Sequence, residues 1–258
     1  MISEDVFNAV TQTAKGCKYS SLNYAEYSDC LNAELLHNCD GLVILHDKSK
    51  SPEMLYFATD DFGSVISVIE ELPSNKLRLH FVPHEYAAWL KELGFSEWGE
   101  YVDFWNDDLE NTASHLHSVG EPEFLAIEGC EEVSLLSRRC RLQSRGFEGE
   151  SAEWFMGCQD ENQVIIRRED EAIVGFCCVS IYDGGTTLWI REIAVDPHIQ
   201  GKGFGKRLME QAILYGVNNG AIKGFLAADI LNENAIGLYR KYGFHMKSTD
   251  RELQMIRG

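Results

Sequence analysis

Residues 190–209 read Ile-Arg-Glu-Ile-Ala-Val-Asp-Pro-His-Ile-Gln-Gly-Lys-Gly-Phe-Gly-Lys-Arg-Leu-Met. Residues 190–195 are rich in apolar and β-branched side chains, which suit a strand, and Asp196 with Pro197 ends it. Gly201, Gly203 and Gly205 then let the backbone turn with its N–H groups facing one way. From Phe204 onward, apolar residues recur at Leu208, Met209, Ala212, Ile213 and Gly216, the spacing of one helix face. The order is strand, tight loop, helix N-terminus. Unpaired N–H groups and the positive end of the helix dipole converge at such a junction, which suits a phosphate or pyrophosphate. Lys202, Lys206 and Arg207 add positive charge. Two familiar phosphate loops fail on spacing. A Walker A loop needs glycine at Gln200 and Ser or Thr at Arg207, and a dinucleotide GxGxxG counted from Gly203 needs glycine at Leu208.

The pattern that fits is QxxGxG, carried by Gln200, Gly203 and Gly205 after a strand ending in Ala-Val-Asp-Pro. A second pattern, NxxAxxLYxxxGF, is carried by Asn232, Ala235, Leu238, Tyr239, Gly243 and Phe244. Together they resemble the two cofactor motifs of the GNAT superfamily of N-acetyltransferases. The resemblance implies acetyl-CoA as cosubstrate, its pyrophosphate gripped by Gln200, Gly201, Lys202, Gly203, Phe204, Gly205 and Lys206. Further contacts are implied from Ile193 and Val195 on the preceding strand and from Asn232, Ala235 and Tyr239. It also implies two splayed parallel strands, a backbone N–H near Val195 that polarises the acetyl carbonyl, and Tyr239 as the proton donor to the departing thiolate.

A search for internal repeats finds one. Ala87, Leu90, Gly94 and Phe95 line up, ungapped, beneath Ile236, Tyr239, Gly243 and Phe244, with residues 77–82 beneath 226–231. Residues 57–60 can be laid under 193–196, but no glycine loop follows them and the helix begins almost at once. The expectation is an α+β chain of two tandem GNAT-like domains, each a mixed, mostly antiparallel sheet flanked by helices. Residues 1–123 form the degenerate copy, which binds no coenzyme A, and residues 124–258 the acetyltransferase. Residues 111–123, polar with Gly120 and Pro122, suit a linker.

The periodicities predict helices over 3–15, 61–72, 84–93 and 131–145, and strands over 41–46, 54–59, 77–82, 101–105, 124–127 and 187–195. A hairpin is predicted from 164–166 to 172–182, with strands at 222–230 and 244–255.

Of the formal charge of −18, residues 1–125 carry 7 basic against 22 acidic side chains, net −15, and the remainder 16 against 19, net −3. Such a field repels nucleic acid and anionic membranes and attracts a cationic substrate, although solubility alone also accounts for it. No run of about 18 apolar residues suits a membrane span, and no basic-then-apolar leader opens the sequence, so the expected location is cytoplasmic. The eight cysteines form no CxxC pair and are expected to be reduced. His115 with His117, and His80 with His84, have metal-compatible spacing but no carboxylate or cysteine partners, so no metal is expected. Trp89, Trp98, Trp105 and Trp154 are expected in cores rather than at a cofactor.

Acetyl transfer to an amine needs a neutral nucleophile, and an alkylamine of pKa about 10.4 is mostly protonated at pH 7, a handicap of roughly 4 kcal/mol. Glu192 is the candidate base, with a plain ion pair to Arg191 as the competing role and Asp229 or Glu153 as alternatives. The function expected is transfer of acetyl from acetyl-CoA to a primary amine of a small molecule or peptide by direct attack in a ternary complex. A non-catalytic acetyl-CoA sensor and a longer acyl donor are the alternatives.

Overall fold

The computed structural model describes residues 1–39, 41–116, 119–141, 145, 148–158 and 162–258, the backbone alone at 247–250. The chain divides into two compact units, Met1–Glu100 with Arg251–Gly258, and Tyr101–Asp250.

Unit 1 opens with α1 (Glu4–Ala14), which buries Phe7, Val10 and Ala14 on one face and is capped by Ser3 Oγ accepting from the Val6 N–H at 3.4 Å. The elements β1 (Tyr19–Ser20), α2 (Tyr27–Cys30), β2 (Glu34–Cys39), β3 (Leu42–Asp47), β4 (Glu53–Thr59), α3 (Phe62–Glu71), β5 (Leu77–Val82) and α4 (Ala87–Glu92) follow, and β6 (Phe95–Asn106) begins here. The sheet runs β2-β3-β4-β5 and is completed by residues 253–257 from the end of the chain, antiparallel to β5. Only β4 and β5 are parallel neighbours in this set. Strand periodicity sorts β4 onto two cores: Leu55 and Phe57 face α3 with Val65 and Ile69, while Met54, Tyr56 and Ala58 face α1.

Unit 2 contains the second half of β6, then α5 (Leu109–Ser114), β7 (Glu123–Phe124), α6 (Cys130–Cys140), α7 (Ala152–Cys158), β8 (Gln163–Glu169), β9 (Ala172–Tyr182), β10 (Thr187–Val195), α8 (Phe204–Asn218), β11 (Lys223–Asp229), α9 (Glu233–Lys241) and the start of β12 (His245–Arg257). Its sheet order is β6-β11-β10-β9-β8-β7, and β10 with β11 is the parallel pair. Leu208, Met209, Ala212 and Ile213 of α8 are fully buried against one face, the leucine, methionine and isoleucine side chains each worth roughly 1.5–3 kcal/mol. Phe155 of α7 and Val133 and Leu136 of α6 cover the other face. Cys177 and Cys178 fall on opposite faces, as adjacent strand residues must. All eight cysteines are free.

The internal repeat is now three-dimensional. In both units a helix joins two parallel strands, and a shorter helix then ends at a glycine of positive φ, Gly94 at +85° and Gly243 at +76°, followed by a buried phenylalanine. Both units therefore carry the expected α+β architecture, and the sheets are mostly antiparallel.

The unit boundary falls elsewhere than 123/124. Residues 101–106 pair along β11 and belong to unit 2, and residues 251–258 belong to unit 1. Part of the expected linker is also built in. Ala113 and Leu116 pack, partly buried, against the core under α8, and Gln211 Nε2 donates to the carbonyls of Gly120 and Glu121 at 3.0 and 3.1 Å. Polarity concealed this role because the segment is held through its backbone. Strand β2 and helix α7 were also missing from the periodicity, and α6 stops at Cys140, five residues before the expected end, with residues 142–144 outside the described set.

Candidate active site

The glycine loop and the second motif each have a local reason. Gly201 and Gly203 have φ of +83° and +85°, where an L side chain is strained, and nothing lies within 4 Å of a Cβ built on either. Gly203 is the N-cap of α8 and offers no capping side chain, so the N–H groups of the helix's first turn open onto the loop. In α9, Asn232 Oδ1 accepts from the Ala235 N–H at 3.2 Å, an N-cap. Gly243 ends that helix, with the Phe244 N–H returning to Tyr239 O at 3.1 Å. Asn106 Nδ2 secures the corner through Tyr242 O at 2.8 Å.

Pairing between β10 and β11 stops at Trp189 and Phe225, although β10 continues to Val195 and β11 to Asp229. The strands part there, leaving a slot between residues 190–195 and 226–229. A cleft of about 810 Å³ opens on the α8/α9 side of the slot. It is lined by Ile193, Val195, Gln200, Gly201, Gly203, Phe204, Gly205, Lys206, Asn232, Ala235 and Tyr239, together with Lys241, which sequence reasoning did not single out. Lys202 departs from the expectation: it does not line this cleft, and its ammonium pairs with Glu169 at 2.8 Å. Gln200 Nε2 donates to Val195 O at 3.2 Å, tying the loop to the strand end.

A smaller cavity of about 130 Å³ is lined by Tyr101, Cys140, residues 190–194 and 227–229, Asn232 and Tyr239. Ile193, Asn232 and Tyr239 line both cavities, so the two meet at the slot. Tyr239 is buried, and burial raises its hydroxyl well above the usual phenol range, so it is a neutral O–H at physiological pH.

Glu192 owes its place to an irregularity. The β9–β10 register shifts between Ile190 and Glu192, which makes Arg191 a bulge. Leu188 and Ile190 face the α8 core, and simple alternation would have sent Glu192 after them. The extra residue reverses the phase. Ile193 and Val195 now face α8, and Glu192 and Ala194 face α6, where Ser137 Oγ donates to Glu192 Oε1 at 2.9 Å. Burial pushes the Glu192 carboxyl up to about 8 and the Glu150 charge adds to this, opposed by the Ser137 hydrogen bond and Arg191. Arg191 itself lies over the rings of Trp154 and Trp189, 5.0 Å from each centroid.

The other candidate bases are placed differently. Asp229 lines the small cavity but is already occupied: Arg145 holds it through Nη2 at 2.8 Å, Nε at 3.1 Å and its backbone N–H at 2.8 Å, and the Leu231 N–H adds a fourth donor. Burial raises the Asp229 carboxyl, and these donors outweigh it, so the net displacement is downward. Glu153 is exposed on α7 and lines neither cavity. No metal-holding cluster occurs among the described residues, and His117 lies outside them. No described helix is long and apolar enough to cross a membrane.

Unit 1 treats the equivalent helix start differently. Asp61, with extended backbone, caps α3 by accepting from the Gly63 N–H at 3.0 Å. A carboxylate therefore sits where unit 2 leaves open N–H groups.

Residues 130–244 match the family model described as the acetyltransferase (GNAT) family. Those residues are a GNAT-family acetyltransferase domain. A streptothricin acetyltransferase of Streptomyces lavendulae is 32% identical over 108 residues, which cover 42% of this chain and 53% of that protein; the chain thus spans about half the length of this curated relative. Among solved structures, a tandem GNAT protein from the clavulanic acid biosynthesis pathway superposes with a TM-score of 0.57 at 13% identity, covering 84% of this chain and 78% of that one. A GCN5-related N-acetyltransferase from Kribbella flavida gives 0.57 at 16% identity, covering 99% and 95%. At these identities the likeness is one of fold, and it places the GNAT domain in a tandem α+β architecture. The GNAT match starts at Cys130, the first residue of α6, and ends at Phe244, so it contains both cofactor motifs and Glu192.

Proposed function

We propose that this protein is an N-acetyltransferase that moves the acetyl group of acetyl-CoA to a primary amine, both bound together in unit 2. The observation that carries this reading is the slot between β10 and β11, where a glycine-lined cleft and a carboxylate-lined cavity meet beside one buried tyrosine. A sensor would need only the cleft. Tyr239 lines both cavities and Glu192 the smaller one, an arrangement that serves two reactants.

The residues fit the cosubstrate. Gly201 and Gly203 leave the loop open where any larger side chain would project, and the uncapped start of α8 offers N–H donors to a pyrophosphate, with Lys206 and Lys241 on the same cleft. Ile193, Val195, Gln200, Phe204, Gly205, Asn232 and Ala235 would line the rest of its path. The thioester supplies the acyl group and a thiolate leaving group. On the other side, Glu192 accepts a proton from the acceptor amine; a carboxylate near 8 is a far better base than an ordinary one, and it lies close to working pH. Tyr239 donates its O–H toward the departing sulfur, and its raised pKa keeps that proton in place until negative charge develops beside it. A backbone N–H near Val195 would polarise the acyl carbonyl, on a strand end whose Val195 carbonyl is held by Gln200 and by Cys140 Sγ at 3.5 Å.

Residues 124–258 carry this chemistry within a unit that starts at Tyr101, and the first half is a degenerate copy whose α3 start is closed by Asp61. The acceptor is an amine of a small molecule or peptide, and the curated relative is named for one small molecule, streptothricin. The location is cytoplasmic, and neither nucleic acid nor membrane is a partner. The test is mass spectrometry of products after incubation with acetyl-CoA and a panel of polyamines, aminoglycosides, streptothricin, amino acids and peptides. A product one acetyl group heavier, diminished in Tyr239→Phe, supports the reading. Tight acetyl-CoA binding with no product across the panel shifts the reading to a sensor.

A further inference from the structure

We propose that Ser137 is a positioning residue for the transfer, fixing which oxygen of Glu192 exchanges the acceptor's proton. The inference rests on the acetyltransferase reading above. Ser137 is fully buried on α6, at a position flanked by Val133, Leu136 and Cys140, where a helix facing a sheet ordinarily carries an apolar side chain. A buried hydroxyl is costly unless it is hydrogen-bonded. Here its partners are specific. The Glu150 N–H donates into Ser137 Oγ at 3.0 Å, and Ser137 Oγ lies 2.9 Å from Glu192 Oε1. A backbone N–H can only donate, so the single hydroxyl hydrogen is left for Glu192. Ser134, one turn earlier, donates to Glu150 O at 2.8 Å and holds that peptide in place. Oε1 therefore accepts from Ser137, which leaves Oε2 as the oxygen to take and release a proton.

The Arg191 bulge gives this chain a second, independent origin. Without it, Glu192 would face α8 and Ser137 would have no carboxylate to meet. Two local irregularities, a bulged strand and a buried serine, converge on one side chain. Other groups act on Glu192 through space: Glu150, Cys140 from α6, Cys158 from α7, Cys177 from β9, and Arg191 on its own strand. The small cavity adds Asp229, held by Arg145, with Tyr101 and Tyr239. All of these remain when Ser137 alone is changed.

The experiment follows the carbon-13 shift of the Glu192 carboxyl against pH in the full chain, without cofactor or acceptor, assigned by its loss in Glu192→Gln. Ser137 favours the ionised form, so Ser137→Ala should move the midpoint up by about one pH unit, tenfold in the ionisation constant. With acetyl-CoA and an acceptor from the panel, the ratio of variant to wild-type kcat/KM should fall about tenfold at pH 7 and return toward one above pH 9. The acceptor's own titration cancels in that ratio. Ser137→Cys keeps the volume with a weaker donor and should shift in the same direction by less; it serves if the alanine variant does not fold. A merely structural serine would lower the melting temperature and leave the midpoint unmoved, which overturns the proposal while acetyl transfer stands. A moved midpoint with no acetyl transfer to any acceptor overturns the functional reading, and the proposal with it.

Discussion

Replacing Gly203 by alanine and by aspartate separates the backbone demand of the loop from its electrostatics. At φ +85° either side chain is strained, and the cost is about 1–2 kcal/mol. No atom lies within 4 Å of the new Cβ, so sterics add nothing and both variants should fold, melting a few degrees below wild type. Aspartate also places a carboxylate beside the open start of α8. At roughly 6 Å from a diphosphate carrying two charges, Coulomb's law gives about 1.4 kcal/mol at a dielectric of 80 and about 5.5 kcal/mol at 20. Gly203→Asp should therefore bind coenzyme A at least tenfold more weakly than Gly203→Ala, by calorimetry in low salt. The gap should narrow as salt shortens the Debye length to about 3 Å near 1 M. Equal affinities for the two variants, or a gap indifferent to salt, would refute the assignment of this loop to an anion.

Tyr239→Phe should cost about 10²-fold or more in kcat while leaving coenzyme A affinity nearly unchanged; an unaltered single-turnover rate would make the tyrosine a packing residue. Glu192 ionises at a higher pH folded than unfolded, so its cost to stability is absent below its ordinary value of 4.5, grows as pH rises, and is complete above about 8. Glu192→Gln should therefore raise the melting temperature at pH 8.5 by more than at pH 4.5, and a pH-independent difference would contradict the burial of that carboxyl. Asp61→Gly should lower unit 1 stability by only a few tenths of a kcal/mol, roughly the difference between an Asp and a Gly cap on α3, and confer no coenzyme A binding, which equilibrium dialysis can check. A fragment of residues 124–258 lacks the six residues 101–106 that pair with β11. It should bind coenzyme A poorly, whereas residues 101–258 should retain binding.

Much of the cleft was legible because its chemistry is backbone chemistry written in short-range sequence. Gly201 and Gly203 are visible as glycines, and the roles of Asn232 as a cap and Gly243 as a helix stop follow from residue type and spacing. Strand β10 and helix α8 were equally readable, since they have strong and different periods, whereas the parallel pairing of β10 with β11 was only what the family resemblance implied. The acceptor side was not legible. A β-bulge leaves no mark in composition, so the reversal of phase at Arg191, which brings Glu192 to Ser137, required coordinates. Tyr101 and Cys140 reach the small cavity from distant segments. Lys202 was expected at the cofactor because it lies in the glycine loop, and no local pattern connects it to Glu169, with which its exposed ammonium pairs.

The parentage of the last sheet strand bears on the order in which the protein is made. In unit 1, Val82 of β5 meets Leu253, and in unit 2, Phe225 of β11 meets Trp105. The second pairing is available as soon as β11 leaves the ribosome. The first must wait for residues translated on the order of ten seconds or more after β5. During that interval β5 presents bare N–H and C=O groups along one edge, the kind of template that recruits another nascent strand. Translation rate and chaperone supply should thus govern the yield of soluble protein through its amino-terminal half, even though the chemistry resides in the other.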